Sequence, residues 1–557
     1  MPVQTSKFGR PLPVKRRRNT LEEVQPQAGL HTGLPPQSLP PGFSPALQNI
    51  IADRNGRVRQ RPGLQPFGAF SFNSYTLGAK EVFDKNGKLA GFAPSTLSFS
   101  YMHPDNQVWS DLSYLPGTVA SAMTGPPSGI STDYWSTEAV WVPSIEAVIA
   151  VTSNNTNATQ WFEVDGSTTT HSDFTWLDSI ASTKAAAAVT AVNDRLVFFN
   201  ILSSSGTRFP NRVLWSVRGN PIDYTINSGA GFEDLKDMRG YGQAAVRHKD
   251  ILILFTDQEM WRAIPTLDAF AFRFERVADS FGCTFPQTIA ETPEGAVFLG
   301  KDMEVYLTTG TQIAPLGPVQ GQGASRIQKL LEDELVNPTK AFGVYNQTER
   351  QYELYYSTAS ATEGFCNKAL FYKLDNQTWW TQSFPFSFSA GLDLEDPADL
   401  TTWDGFSGTW DAALGTWDSY AQTQGSRSVN LFNTALATHR FRSTTDTDGG
   451  TAIDCRWRSP GLKQADNGAF SNIHELYLDY ETASNSSVSI FLSDDFGDTF
   501  DSGYAVSLVT TKRKVFAPVW GLAHNPQFEL RWNDGGSQQL SRFQAKLRSS
   551  SNFEGAL

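Results

Sequence analysis

Cysteine is nearly missing from this chain of 557 residues: only Cys283, Cys366 and Cys455 occur, far apart and in no CxxC spacing. That pattern excludes a disulfide framework and a structural zinc site, and it predicts buried thiols. Charge is also scarce. Charged residues make up 18% of the chain, against roughly 25% in ordinary soluble domains. The balance is acidic, at −12. A general nucleic-acid binder needs clustered lysine and arginine to neutralise phosphates, so the chain as a whole is not one. A surface that DNA slides past without sticking is compatible with this balance, because like charges repel. No apolar run reaches 18 residues and no signal peptide is recognisable, which predicts no membrane span. The seven histidines are scattered, and no HExxH, GxSxG or GxxxxGK[ST] pattern occurs. The expectation is a chain with no catalytic residues, no cofactor and no metal site.

What the chain does have is aromatic side chains (12%), with 44 Gly and 30 Pro, a composition of strands and turns. The length implies roughly two to four domains. Residues 1–38 read as an extended basic arm, with Lys15, Arg16, Arg17 and Arg18 in a row as a possible contact for DNA or an acidic partner;. Residues 39–115 read as an N-terminal β segment packing with the C-terminal part. Asn55-Gly56 within it is a hairpin-turn pair;.

From about 190 to 390, apolar runs and aromatic strands recur. "RLVFFN", "ILILF", "AVFLG" and "QYELYY" start near 196, 251, 296 and 352, the spacing of propeller blades. Ile251–Phe255 does not alternate with polar residues, which predicts burial on both faces, as in a blade packed between two neighbours;. Residues 116–390 are therefore read as a β-propeller-like domain. One helix is expected after Ser325, which forms a capping box with Gln328, with Asn337-Pro338 as its stop;. Residues 450–557 alternate apolar and polar positions and read as a β-sandwich-like domain;. The fold class is all-β, with a propeller-like centre, a C-terminal sandwich and few short helices.

Residues 391–449 hold a connector and a tandem repeat, WDGFSGT-WDAALGT-WDSYAQT, with Trp403, Asp404, Trp410, Asp411, Trp417 and Asp418 in step. One large residue per heptad and the intervening glycines exclude a coiled coil. Each unit reads as an Asx turn and a short strand, so that the indoles stack as a structural rung or interface. A tryptophan platform for carbohydrate is the alternative. A second local motif is an Asp box, S-x-D-x-G-x-T-F, at Ser493, Asp495, Gly497, Thr499 and Phe500. Asp boxes resemble structural hairpin turns of sialidase propellers. The arginine cluster and tyrosine nucleophile that a sialidase would need find no counterpart here.

Three features together carry a resemblance: "LPPGFSPALQNIIADRNGRVRQRPG" at 39–63, the set "NRVLWSVRGNPIDYT", "DILILFTDQEMWRA" and "FGCTFPQTIAETPEGAVFLGKDMEVYLTTG", and the Trp-Asp tandem before a terminal β unit. The arrangement resembles the tail hub, or nozzle, proteins of short-tailed bacteriophages, also described as packaged-DNA stabilisation proteins. The resemblance implies a non-enzymatic virion component assembled in the bacterial cytoplasm. It implies a homo-oligomer, a hexamer ring, below the portal-bound adaptor protein. Such a ring carries tail fibre or tailspike proteins, and double-stranded DNA passes through its lumen without sequence-specific binding. The readings set against it are a glycan- or receptor-binding propeller of a tail tip and a glycosidase.

Overall fold

The computed structural model describes residues 19–111 except 24, 41, 53–56, 68–69, 73, 88 and 103–108; residues 133–395 except 165–170, 174–182, 267–270 and 319–323; and residues 427–549 except 443–445, 463–470, 483–484, 494, 496, 511–513, 524–525 and 534–537. The chain divides into two units. One is continuous, Pro62–Thr451; the other joins Met1–Arg61 to Ala452–Leu557.

The continuous unit is a six-bladed β-propeller. Five four-stranded antiparallel sheets follow one another along the chain, each a simple meander, and a sixth four-stranded meander, Phe342–Asn346, Gln351–Tyr356, Cys366–Lys373 and Thr378–Glu395, is part of a larger sheet. Their first strands are Lys80–Phe83, Ser136–Val142, Thr183–Val192, Gly242–His248, Ala290–Thr292 and Phe342–Asn346. These first strands contact one another in sequence and surround the axis.

The apolar runs explain why the sheets stack. In the second strand of blade 4, Ile251–Thr256, the residues Leu252, Ile253, Leu254 and Phe255 are all fully buried. Leu252 and Leu254 join the core shared with blade 3. Ile253 and Phe255 join the core shared with blade 5. Alternate side chains thus enter opposite seams, and a strand without polar alternation is what that requires. Blade 3 repeats the logic: Leu196 and Phe198 face blade 2, while Val197 and Phe199 face blade 4. At the next seam, Tyr352 of blade 6 donates its hydroxyl to the Thr288 carbonyl at 2.7 Å. Gly343 lets the two blades approach, since a Cβ there would sit 2.2 Å from the same carbonyl oxygen;.

Closure falls between blade 6 and blade 1. Phe72, Trp109 and Phe432 meet in mutual edge-to-face contacts, within a core that also holds Leu89, Met102, Leu392 and Leu394. Arg427 clamps the seam. Its guanidinium donates to Glu81 of the first blade at 2.6 Å and to Asp393 at 3.1 Å.

Several sequence boundaries move. The runs starting at 196, 251, 296 and 352 are second strands; an inner strand precedes each one. Residues 62–111, expected to pack with the C-terminal part, lie in the propeller unit and supply its first blade. The connector also contributes to this unit: Arg427–Asn433 pairs with the long last strand Thr378–Glu395, then with Thr438–Arg442, which pairs with Gly63–Pro66. The helix spans Gln328–Glu334. Ser325 Oγ accepts the Gln328 amide at 3.2 Å, but the Gln328 side chain donates to the Asp302 carbonyl, so only half of the capping box forms.

The second unit is a two-sheet sandwich made from both chain ends. One sheet contains Ser471–Thr482, Lys514–Ala523, Gln538–Ser549, Val58–Gln60 and Ile50–Ala52; the other contains Ala46–Gln48, Cys455–Arg458, Gln527–Trp532, Ser486–Ser493 and Tyr504–Leu508. Trp457 and Phe543 meet between the sheets, with ring centroids 4.3 Å apart. The run from Ala46 to Ala52 breaks at Asn49, whose φ is +58°. That kink sends Ala46–Gln48 to Cys455–Arg458 and Ile50–Ala52 to Val58–Gln60. Asn49 is held there by donating to the Asp454 carbonyl and accepting from Arg61; asparagine tolerates this conformation well. The arm is likewise shorter than expected. Asn19–Glu23 pairs with Gln538–Ser549, and Gly29–Leu30 pairs with Phe43–Ser44. Backbone pairing orders these residues without any apolar period.

All three cysteines are buried, as expected. Burial pushes the Cys283 thiol up to about 12.

Candidate functional site

Ring closure brings one residue from each inner strand to a common cavity of about 630 Å³: Lys80, Glu138, Ala191, Arg247, Glu291 and Tyr345. Ala191, Arg247, Glu291 and Tyr345 sit near the ends of their strands, close to the turn into the second strand, whereas Lys80 opens its strand and Glu138 lies mid-strand. A polar side chain is tolerated there because the axis, unlike the seams, is open to solvent. Lys249 and Arg350 stand at the rim.

The cavity is electrostatically coupled. Lys80 Nζ lies 3.3 Å from Glu138 Oε2, and that carboxylate raises the lysine above its ordinary value. Desolvation inside the cavity raises the Glu291 carboxyl; Lys80 opposes this and Glu138 adds to it. Arg350 is committed elsewhere, to Glu294 at 2.8 Å and Asp375 at 2.9 Å. Arg247 donates its Nε to the Lys249 carbonyl. The arrangement suits retention of a small polar or charged group at the axis.

A groove of about 430 Å³ adjoins this cavity and shares Ala191 and Arg247 with it. Its wall is apolar: Val140, Trp141, Pro143, Val192 and Pro221. Trp141 is 48% exposed. A cavity near the starts of the inner strands, about 400 Å³, has a different character. Tyr134, Asn155, Gln243, Thr284 and Gln287 give it a largely uncharged hydrogen-bonding lining.

The most deeply buried carboxylates serve the architecture. Glu353 accepts from Asn346, Gln351 and Tyr355 at 3.1, 2.7 and 2.6 Å. Burial nevertheless raises its carboxyl to about 7. Glu259 accepts from Trp261 Nε1 at 2.7 Å and from the Arg239 amide. For Glu353 the folded-state value lies above the ordinary 4.5. The protonated form therefore stabilises the fold fully below that ordinary value, and the contribution is lost as pH rises through about 7. Glu353→Gln is expected to flatten the fall in thermal midpoint between pH 5 and pH 8. Parallel melting curves for variant and parent across that range would contradict it.

The Asp box forms in full. Ser493 Oγ donates to Asp495 Oδ1 and accepts the Gly497 amide, each at 2.8 Å. Asp495 accepts the Thr499 amide and hydroxyl, which together with Ser493 hold its carboxyl down to about 2. Gly497 has φ +91°, the conformation for which glycine is suited. Phe500 lies under the Arg458 guanidinium, 4.4 Å from its centre. The motif closes the turn after Ser486–Ser493 in the sandwich. The tryptophan repeat, Trp403, Asp404, Trp410, Asp411, Trp417 and Asp418, lies outside the described residues, as do Lys15, Arg16, Arg17 and Arg18.

The axial cavity escaped the sequence reading. Its signal was a charged residue in four of the six inner strands, Lys80 in "KEVF", Glu138 in "STEAV", Arg247 in "AAVRH" and Glu291 in "AET". Sites 50 or so residues apart give no local motif, and only closure of the ring unites them.

No family model matches the chain, and no curated protein matches it. Among solved structures it is similar to BamB from Moraxella catarrhalis, at 9% identity over 76% of this chain and 98% of that chain, with a TM-score of 0.33. It is similar to YCF48 from Cyanidioschyzon merolae at 8% identity, covering 69% and 99%, with a TM-score of 0.35. It is also similar to an exo-beta-1,3-galactanase from Phanerochaete chrysosporium at 9% identity, covering 87% and 100%, with a TM-score of 0.27. Likeness at this level says nothing of function. The class defined by sheet order, seams and axial cavity is a six-bladed β-propeller inserted into a β-sandwich.

Proposed function

We propose that this chain is a non-enzymatic, ring-forming subunit of a short-tailed bacteriophage tail, a hub or nozzle. It would sit below the portal and its adaptor protein, retain packaged DNA, conduct it during ejection, and dock fibres or spikes. The observation that carries the reading is the body plan. Strands from the N-terminal and C-terminal segments, among them Asn19–Glu23 with Gln538–Ser549 and Ala46–Gln48 with Cys455–Arg458, pair in one sandwich, and the propeller is inserted between these segments in the chain. The two units are therefore joined by two covalent crossings, at 61–62 and 451–452. A pull between the units is shared by two strands of polypeptide, which suits a part loaded during DNA passage.

Two further features support it. Phe83, Trp141 and Ile145 are exposed near the first hairpin turns of blades 1 and 2. Exposed apolar side chains gathered on one face suit contacts between copies or with a partner. The net charge of −12 gives a ring of copies a wall that does not trap a polyanion. Mass photometry and electron microscopy of the purified chain, alone and with portal and adaptor, should reveal rings of about six subunits, the closed symmetry expected of such assemblies. A 61 kDa species that stays monomeric in both mixtures would overturn the reading.

A further inference from the structure

The outer face of one sandwich sheet carries an arginine cluster that its own carboxylate does not satisfy. Arg456 and Arg458 lie on one face of Cys455–Arg458, two residues apart; Arg531 and Glu529 oppose them across Gln527–Trp532 in register. The other face is core: Trp457, Phe528 and Leu530 are fully buried. Glu529 is also fully buried. Arg456 Nη2 lies 2.8 Å from its Oε2, Arg458 Nη2 lies 2.9 Å from the same oxygen, and Arg531 Nε donates to Oε1. Three positive charges thus meet one negative charge.

The surplus appears as unused donors. Arg456 Nε is buried without a hydrogen-bond partner. Among the described residues, neither Nη group of Arg531 has a hydrogen-bond partner, since only its Nε reaches Glu529. Arg531 is also fixed in place: its guanidinium lies 4.5 Å from the centre of the Phe491 ring. Fixing the plane by stacking leaves the outer fork of the guanidinium available for a planar or tetrahedral oxyanion.

The neighbours continue the pattern. Ser489 pairs with Arg531, Arg531 with Arg456, and Arg456 with Gln48, so four donor-bearing side chains form one cross-strand row. At about 4.8 Å per strand the row is about 15 Å long. Hydroxyl, amide and guanidinium groups in line are the set that contacts nucleic-acid backbones. A row this long can meet several phosphates of one strand.

We propose that this row binds the phosphodiester backbone of a nucleic acid, with Arg531 and Arg456 as the phosphate-gripping residues. It is a local exception on an acidic chain, and it stands apart from the ring reading. A monomer can bind through it, and a ring without it leaves the ring reading untouched.

The test is fluorescence anisotropy of a labelled 12-nucleotide oligothymidine with the full chain over a series of salt concentrations. Arg531→Gln and Arg456→Gln are each expected to weaken binding about fivefold to tenfold at low salt and to reduce the salt slope by about 1. Arg531→Lys retains the charge and the slope but loses the fork, and is expected to weaken binding a few-fold. Thermal midpoints of the variants separate loss of contact from loss of fold, and the lysine variant keeps the test open if a glutamine variant unfolds. Unchanged affinity in all three variants overturns the proposal. So does displacement of the oligonucleotide by polyglutamate as readily as by unlabelled strand, which would make an acidic peptide the ligand. Binding that disappears only when Lys15–Arg18 are replaced assigns the contact to the arm and also overturns it.

Discussion

Replacing Arg427 with alanine should open the propeller at its closing seam. The side chain is 19% exposed and bridges Glu81 and Asp393, which are 15% and 6% exposed. Burial already raises the Asp393 carboxyl, against the pull of Arg427. Removing the guanidinium would strand two carboxylates in a poorly hydrated seam, at a cost of about 3–5 kcal/mol. The seam's aromatic triad, Phe72, Trp109 and Phe432, would remain but would have to hold the ring without its clamp. Chemical denaturation should record this loss in the propeller transition. A companion variant with Arg427→Met, Glu81→Gln and Asp393→Asn strands no charge and should recover much of the stability. If the single and triple variants are equally unstable, the seam depends on side-chain shape and the charges there are incidental.

Glu529→Gln should damage the sandwich to a similar extent. Desolvation opposes the Glu529 charge, but Arg456, Arg531 and Arg458 outweigh it and hold the carboxyl below its ordinary range. With the carboxylate gone, three guanidiniums crowd one another around a neutral amide that cannot compensate them. The expected cost at neutral pH is again about 3–5 kcal/mol. The pH dependence distinguishes this from a packing defect. A depressed carboxylate contributes stability above its unfolded value and loses it as pH falls through the folded value. The gap between parent and variant should therefore be wide at pH 7 and should narrow as the solution is acidified. A gap that stays constant down to low pH would mean that the ion cluster is not its source.

The legible part of the fold was the part written in bulky side chains. "ILILF" and "RLVFFN" announce strands buried on both sides because each alternate residue enters a different seam. The inner strands are written in small residues instead. Thr183–Val192 reads TKAAAAVTAV and Gly242–His248 reads GQAAVRH. Near the axis there is little room for larger groups, so a strand's usual β-branched and aromatic signature is missing. Blade 1 was hidden for a related reason: its strands are short, with Leu89–Pro94 reading LAGFAP and Phe99–Met102 reading FSYM. The Asp box could be read because its hydrogen bonds all fall within a few residues of one another. The axial charges and the Arg427 clamp could not, because each joins side chains that come together only when the ring closes.

Asn49 gives the N-terminal segment more importance than its length suggests. By turning between Ala46–Gln48 and Ile50–Ala52, it makes one short run a member of both sandwich sheets. Trimming the chain to residue 53 would thus unzip a strand from each layer at once. The bared backbone donors and acceptors would then invite pairing with other chains, and such a truncation should aggregate rather than yield a smaller soluble particle.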